Sequence, residues 1–217
     1  MLEKTVKKSV SVYLFFTLFA SVSACSYAFE FGHSRYQESR GNDSELGVGN
    51  PGISRLTLDG AQATVAFSPD GGGERIIVDA INAARYRVLV QAYGFTDKFI
   101  ISALAQAKNR GVDVRVILDK SNDRSSSNES RYSGATYMVN AGVPVWVDYK
   151  PAIAHNKIMI IDGREVITGS FNFTYSAQHR NAENVLILNN VPQLAEIYTR
   201  DWEWRLGQSR QFVQSGY

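Results

Sequence analysis

Between Ala63 and Leu206, short apolar runs alternate with segments whose apolar residues recur every three to four positions. A chain that switches repeatedly between a period of two and a period of 3.6 has to build a sheet with helices laid on it. Thr64–Phe67 predicts a strand, and Ser68-Pro69-Asp70 followed by three glycines predicts a turn. Ile76, Ile77, Ala80, Ile81 and Ala84 then share one helical face. Arg87–Tyr93 reads as a strand. Thr96 stands where it can cap a helix that holds Phe99, Ile100, Leu104 and Ala107 inside and stops near Gly111. Val112–Leu118 is a further apolar strand, and residues 120–133 form a polar loop. A helix to Ala141 and a strand at Val143–Val147 follow.

In the last third, Lys157–Ile161 and Glu165–Thr168 flank Asp162-Gly163, a dipeptide that favours a tight hairpin. Glu183–Leu188 is the next strand, and Pro192 opens a final helix running to about Leu206. The expectation is an α/β sandwich: one mixed β-sheet flanked by helices, in a single domain spanning residues 61–210, with a C-terminal tail at 211–217. The pair Trp202-x-Trp204 on the last helix is expected to pack core rather than bind a ligand.

Upstream of the domain the composition changes twice. Lys4, Lys7 and Lys8 precede the apolar run Val10–Ala24, which is followed by Ser26-Tyr27-Ala28. A basic flank, a short apolar stretch and a small-x-small site predict a secretory signal peptide over residues 1–28. Val22-Ser23-Ala24-Cys25 also resembles a lipobox, so lipidation at Cys25 is the minor alternative to ordinary cleavage. Either route predicts export, to the periplasm or out of the cell. Residues 29–60 are rich in Gly, Ser and Asn without an apolar period, which predicts a flexible linker.

The chain carries 23 basic and 21 acidic side chains, and removing residues 1–29 subtracts three lysines and one glutamate, leaving 20 of each. A neutral mature chain lacks the bulk positive charge of proteins that bind polyanions by counterion release. Any polyanion must be gripped by charge focused at one place. Arg124, Arg131, Lys150 and Arg180 could form such a rim as a group, while for any one of them solvated surface charge is the expected reading. A single cysteine excludes a disulfide within the chain and a Cys-based zinc site, and three histidines leave little for a His-rich centre, so no metal or other cofactor is expected.

The chemically capable residues gather between His155 and Glu183. His155 and Lys157 are two apart in a strand and leave the same face, while Ser170 and Asn172 stand two apart just after the hairpin. An imidazole, an ammonium, a hydroxyl and an amide together suit a phosphodiester: one nucleophile of tunable protonation, and donors to hold the nonbridging oxygens.

Residues 155–172 read HNKIMIIDGREVITGSFN, the HxK(x)4D(x)6GSxN pattern, and resemble the phospholipase D superfamily. The flanking Ala152–His155, Gly169–Thr174 and Asn181–Val185, with Phe67-Ser68-Pro69 and Gln91–Thr96 upstream, look like the small exported bacterial nucleases called Nuc, which work in the presence of EDTA. The resemblance covers about residues 63–206. It implies that His155 is the nucleophile and forms a phosphohistidine. Lys157 and Asn172 would hold phosphate oxygens, with Ser170 a supporting donor, and Glu183 would orient the imidazole. Asp162 projects from the opposite strand face by parity, so a structural role at the hairpin is expected of it. The superfamily mechanism uses two such motifs, one histidine attacking phosphorus and the other protonating the leaving oxygen. This chain has one, and His179 lacks the following lysine of a second. The resemblance therefore implies a homodimer that shares one cleft.

The implied activity is metal-independent, sequence-nonspecific endonucleolytic cleavage of DNA, with RNA as a second candidate, leaving 5′-phosphate and 3′-hydroxyl ends. The superfamily also contains lipid hydrolases, so a phospholipase D-type enzyme, tethered to a membrane through Cys25 or a retained leader, is the alternative. A silent nucleic-acid-binding module is a third reading, disfavoured by the complete motif.

Overall fold

The computed structural model describes residues 52–123 and 133–213. The leader expected at 1–28, most of the linker expected at 29–60, and Arg124 and Arg131 of the polar loop lie outside the described residues. Eight strands form one sheet: β1 (Gln62–Phe67), β2 (Arg87–Ala92), β3 (Asp113–Asp119), β4 (Val145–Asp148), β5 (Lys157–Ile161), β6 (Glu165–Gly169), β7 (Asn184–Asn189) and β8 (Arg210–Gln211). Five helices accompany them: α1 (Gly73–Ala83), α2 (Lys98–Asn109), α3 (Gly134–Asn140), α4 (Tyr175–His179) and α5 (Pro192–Leu206). The strand order is β1-β7-β6-β5-β2-β3-β4-β8. β2, β3 and β4 are parallel, joined by the crossovers through α2 and α3, and every other pairing is antiparallel. The mixed α/β sheet expected from the sequence is the one observed.

The sheet buries both faces at its centre, which is why β2 and β3 read as nearly continuous apolar runs. On one side Val88, Val90, Val114 and Val116 pack against Ile77 and Ile81 of α1, Ile100 and Leu104 of α2, and Met138 of α3. On the other, Leu89, Ile117, Ile158, Ile160 and Val166 pack under α5 with Trp202. The buried Trp202 indole donates to the Val90 carbonyl at 2.9 Å, so its one polar atom is satisfied inside the core. Trp204, half-buried, carries the Arg205 guanidinium 4.4 Å from its ring.

α5 does not cover the whole of its side. Ile187 and Val185 of β7 point into the α1–α3 core, so Leu186 and Leu188 point the other way. Their partners in the edge strand β1 follow the same register, with Val65 opposite Leu186 and Phe67 opposite Asn184. Val65 and Phe67 are 56% and 64% exposed, an apolar strip left bare on the sheet.

Several local expectations shift by a residue or two. The cap of α2 is Asp97, not Thr96: its carboxylate accepts from Phe99 N and Ile100 N, a stronger acceptor in the better position. With the helix starting one residue later, Phe99 falls on the outer side and is 66% exposed rather than internal. α4 and β8 have five and two residues, too few to display a period in the sequence. β8 continues the sheet past residue 210, and Phe212 is buried with its N–H on the Val145 carbonyl. Residues 52–60 have no regular secondary structure beyond the turn at Asp59-Gly60. No helix among the described residues is long and apolar enough to cross a membrane.

Candidate active site

The carboxyl ends of parallel strands are where open α/β sheets place their sites, because the chain must turn away there and leaves backbone and side chains facing a crevice. β2 ends at Ala92 and β3 at Asp119, and the segment leading into β5 is drawn across both. The Asp119 carboxylate, buried at the end of β3, accepts from Ala154 N at 2.7 Å and from Ser121 N at 2.8 Å. Burial works to raise its pKa, but the hydrogen bonds from Ser121 and Ala154 outweigh it and hold the group below the usual aspartate value. One residue on the far side of His155, Asn156 donates its side-chain amide to Gln91 Oε1 at 3.1 Å and accepts Tyr93 N on its carbonyl. His155 is therefore pinned through both neighbours while its own side chain stays exposed. It lies just before β5 rather than within it, and Lys157 is the first residue of the strand.

The Tyr93 ring packs beside the imidazole at 4.8 Å, tilted 57°. The Lys157 ammonium sits 5.2 Å from the centre of the same ring and donates to the His155 carbonyl at 2.6 Å. Burial lowers the pKa of Lys157 below the usual lysine value, and the Glu183 carboxylate pulls the other way.

The other half of the site arrives from β6 and β7. Gly169 holds φ +147°, and a Cβ there would lie 2.2 Å from the Asn184 carbonyl oxygen, so only glycine lets β6 close onto β7 at this point. The next residue, Ser170, gives its hydroxyl proton to Glu183 Oε2 at 2.5 Å and accepts Asn184 N at 3.1 Å. Asn181 Nδ2 donates to Glu183 Oε1 at 3.0 Å. Glu183 is thus fixed by Ser170 and Asn181, and among the described residues no hydrogen bond joins it to the imidazole of His155. Asn172 approaches the end of β2, where a Cβ on Gly94 would meet the Asn172 Cβ at 3.3 Å, and its Oδ1 accepts Gly94 N at 3.4 Å. Its amide NH2 has no partner among the described residues.

His155, Lys157 and Ser170 line one cavity of about 830 Å³. Its other wall is mixed, made by Leu194, Ile197, Tyr198, Asp201 and Arg205 of α5 and by Leu56 and Leu58 of the extended segment before β1. Asp162 stands apart, at the opposite end of β5. Its carboxylate accepts from Arg85 N, Tyr86 N and Arg87 N at 2.8–2.9 Å and ties the hairpin to the start of β2. Among the described residues no three His, Cys, Asp or Glu side chains gather as a metal site would require.

The sequence assigns no role to Tyr93, Asp119, Gln91 or Asn156, although Gln91, Tyr93 and Asn156 fall within the stretches that carry the resemblance. The available signal was positional: polar or aromatic residues ending the buried runs of β2 and β3.

Comparisons with known proteins agree with this geometry. The family model described as cardiolipin synthase, PLD-like domain, matches residues 77–205. A protein named phospholipase D from Rickettsia bellii is 33% identical over 202 residues, 93% of this chain and 96% of that one. The crystal structure of Nuc, a phospholipase D family member from Salmonella typhimurium, superposes with a TM-score of 0.65 at 36% identity, covering 70% of this chain and 98% of that one. NucT from Helicobacter pylori shares the fold at 21% identity, TM-score 0.63, over 70% of this chain and 99% of that one. The family model spans every strand from β2 to β7, so this chain, a phosphodiester hydrolase by kinship, belongs to the phospholipase D-like family.

Proposed function

We propose that the chain is an exported, metal-independent endonuclease that cleaves DNA, and RNA as a second substrate, without sequence preference. The observation that carries this reading is the His155 imidazole, exposed yet clamped through Ala154 and Asn156, sharing one cavity with the buried Lys157 ammonium and the Ser170 hydroxyl. In the first step His155 Nε2 attacks phosphorus, the bond to the leaving sugar oxygen breaks, and that oxygen takes a proton. In the second, water attacks the phosphohistidine and gives a proton back to the group that protonated the leaving oxygen, the P–N bond breaks, and the imidazole is restored. Lys157 and Asn172 hold the nonbridging oxygens, and Glu183, itself fixed by Ser170, adds a negative charge at the edge of the site.

The proton for the leaving oxygen comes from His155 of a second copy in a homodimer. The bare strip of Val65 and Phe67, in register with Leu186 and Asn184 next to Ser170, offers such a copy an apolar surface at the edge of the site. Kinship with Nuc over 98% of its chain favours nucleic acid as substrate.

A second reading, a phospholipase D-type lipid hydrolase held at a membrane through Cys25 or its leader, draws support from the aliphatic side chains of Leu56, Leu58, Leu194 and Ile197 in the cavity and from the names of its relatives. The test is to incubate the purified protein, freed of its leader, with plasmid DNA in excess EDTA, beside His155→Ala. Degradation by the wild type alone is expected. Intact DNA together with hydrolysis of phosphatidylcholine–cardiolipin vesicles would replace the nuclease reading with the lipid one.

A further inference from the structure

The short helix α4 follows directly on the Ser170–Asn172 turn and buries Ala177 and Gln178. Its first residue, Tyr175, is 58% exposed, an aromatic ring held outside the core. That ring is not loose. The His179 imidazole lies 4.4 Å away at a 38° tilt, and the Arg180 guanidinium is 5.7 Å from the ring centre. His179 is in turn anchored by Asp70, Nδ1 to Oδ1 at 2.7 Å. Asp70 is itself tied back, its N–H on the Gln178 carbonyl at 2.7 Å. Tyr, His and Arg thus form one ordered π surface on the outside of the molecule, and Arg180 makes no ion pair among the described residues.

This surface is coupled to the reacting centre by a short, stiff path. Arg180 adjoins Asn181, whose amide holds Glu183, which in turn holds Ser170. Ser68 locks the same stretch, donating to the Asn181 carbonyl at 3.0 Å and accepting Glu183 N at 3.2 Å. Tyr175 is three positions beyond Asn172, and Arg180 three positions before Glu183, a span of about 11 Å at most in each case. At ~3.4 Å of rise per stacked nucleotide, that is within about three nucleotides of the cleaved bond.

We propose that Tyr175, backed by His179 and flanked by Arg180, is a stacking platform for one unpaired nucleobase beside the scissile phosphate. The proposal rests on the nuclease reading and deepens it: the enzyme takes its strand locally single. A chain whose net charge is only +2 gains little from bulk charge, so affinity has to come from local contacts of this kind. Base–aromatic stacking is tolerant of sequence, because every base offers a π face, and the guanidinium adds a contact to the adjoining phosphate. Pre-ordering of the ring by His179 and Asp70 lowers the entropy cost of stacking.

The test compares Tyr175→Ala and Tyr175→Phe with the wild type on two substrates. One is a single-stranded oligonucleotide, intact or with an abasic site moved one position at a time past the cleaved bond; the other is bis(p-nitrophenyl) phosphate, too small to reach the platform. Tyr175→Ala should raise KM for the intact oligonucleotide about tenfold, leave kcat and the small diester unchanged, and lose its penalty when the abasic site occupies the stacked position. Tyr175→Phe should behave as the wild type. An unchanged KM in Tyr175→Ala overturns the platform and leaves the nuclease standing. An equal loss on both substrates also overturns it, in favour of a structural role. A wild type that hydrolyses the small diester and no oligonucleotide overturns the nuclease reading and the platform with it.

Discussion

Tyr93 and His155 pack ring to ring at 4.8 Å, and the same tyrosine ring carries the Lys157 ammonium on its face. One side chain from the end of β2 thus sets the position of both the proposed nucleophile and the proposed phosphate-binding cation. Aromatic packing and a cation–π contact are each worth about 1 kcal/mol, so their main effect is to narrow the set of rotamers rather than to stabilise the fold.

Replacing Tyr93 by Leu keeps apolar volume and removes the π face. We expect kcat on DNA to fall by about 10- to 100-fold with KM within threefold, because misplacing a nucleophile costs the chemical step rather than binding. Tyr93→Phe should retain most of kcat. A Leu variant as active as Phe would show that the ring only fills space.

Asp119 acts on His155 through the backbone. Removing its carboxylate in Asp119→Ala leaves the buried Ala154 N–H without an acceptor and frees the segment before the histidine. A buried donor left unmade costs about 1–3 kcal/mol, so Tm should fall by roughly 2–10 °C for a domain of this size. The kcat at a temperature where the variant is fully folded should fall as well. Asp119→Asn, which can still accept one of the two N–H groups, should recover part of both. An Ala variant with wild-type kcat and lowered Tm would confine Asp119 to stability.

These two residues also mark where sequence reading stops. The alternation of periods made the mixed sheet legible, and the spacing from His155 to Asn172 made most of the candidate site legible, because both are local patterns. What was hidden depends on which strand ends meet. Tyr93 and Asp119 stand 62 and 36 positions before His155, and only the pairing of β2 with both β3 and β5 brings them to it. The same holds for Ser170 and Glu183: the motif names the serine, while the register of β6 against β7 hands its proton to the glutamate. The cap of α2 was misplaced by one residue for a local reason, two adjacent capping residue types competing for one helix end.

A pH dependence of stability follows from Glu74 and Asp97. Burial first, and then the neighbouring Asp97 carboxylate that shares a hydrogen bond with it, raise Glu74 from 4.5 to about 7, with His179 opposing. The folded protein therefore keeps a proton that the unfolded chain releases. Its stabilising effect is complete below pH 4.5 and is lost as pH rises through about 7. Because Glu74 is only partly buried, solvent screening reduces the effect to on the order of 1 kcal/mol, or about 2–4 °C in Tm. Glu74→Gln should flatten Tm between pH 5 and pH 8 as measured by thermal melts. A Gln variant with the wild-type slope would assign the dependence to other groups.

Asp162 separates the family pattern from the chemistry. It belongs to the motif by spacing, yet it sits across the five residues of β5 from the site, about 17 Å at 3.3 Å per residue, accepting three backbone N–H groups of the Arg85–Arg87 turn. Asp162→Ala leaves those donors to solvent or unmade, which predicts a loss of about 2 kcal/mol and a fall in Tm of roughly 4–8 °C. Its kcat and KM at low temperature should stay within twofold of the wild type. His155→Ala should do the reverse, abolishing turnover with Tm nearly unchanged, since the imidazole is exposed and makes one ring contact. If Asp162→Ala instead lost turnover while folded, measured by circular dichroism beside the assay, the aspartate would have to act on the site through β5, and the purely structural assignment would fail.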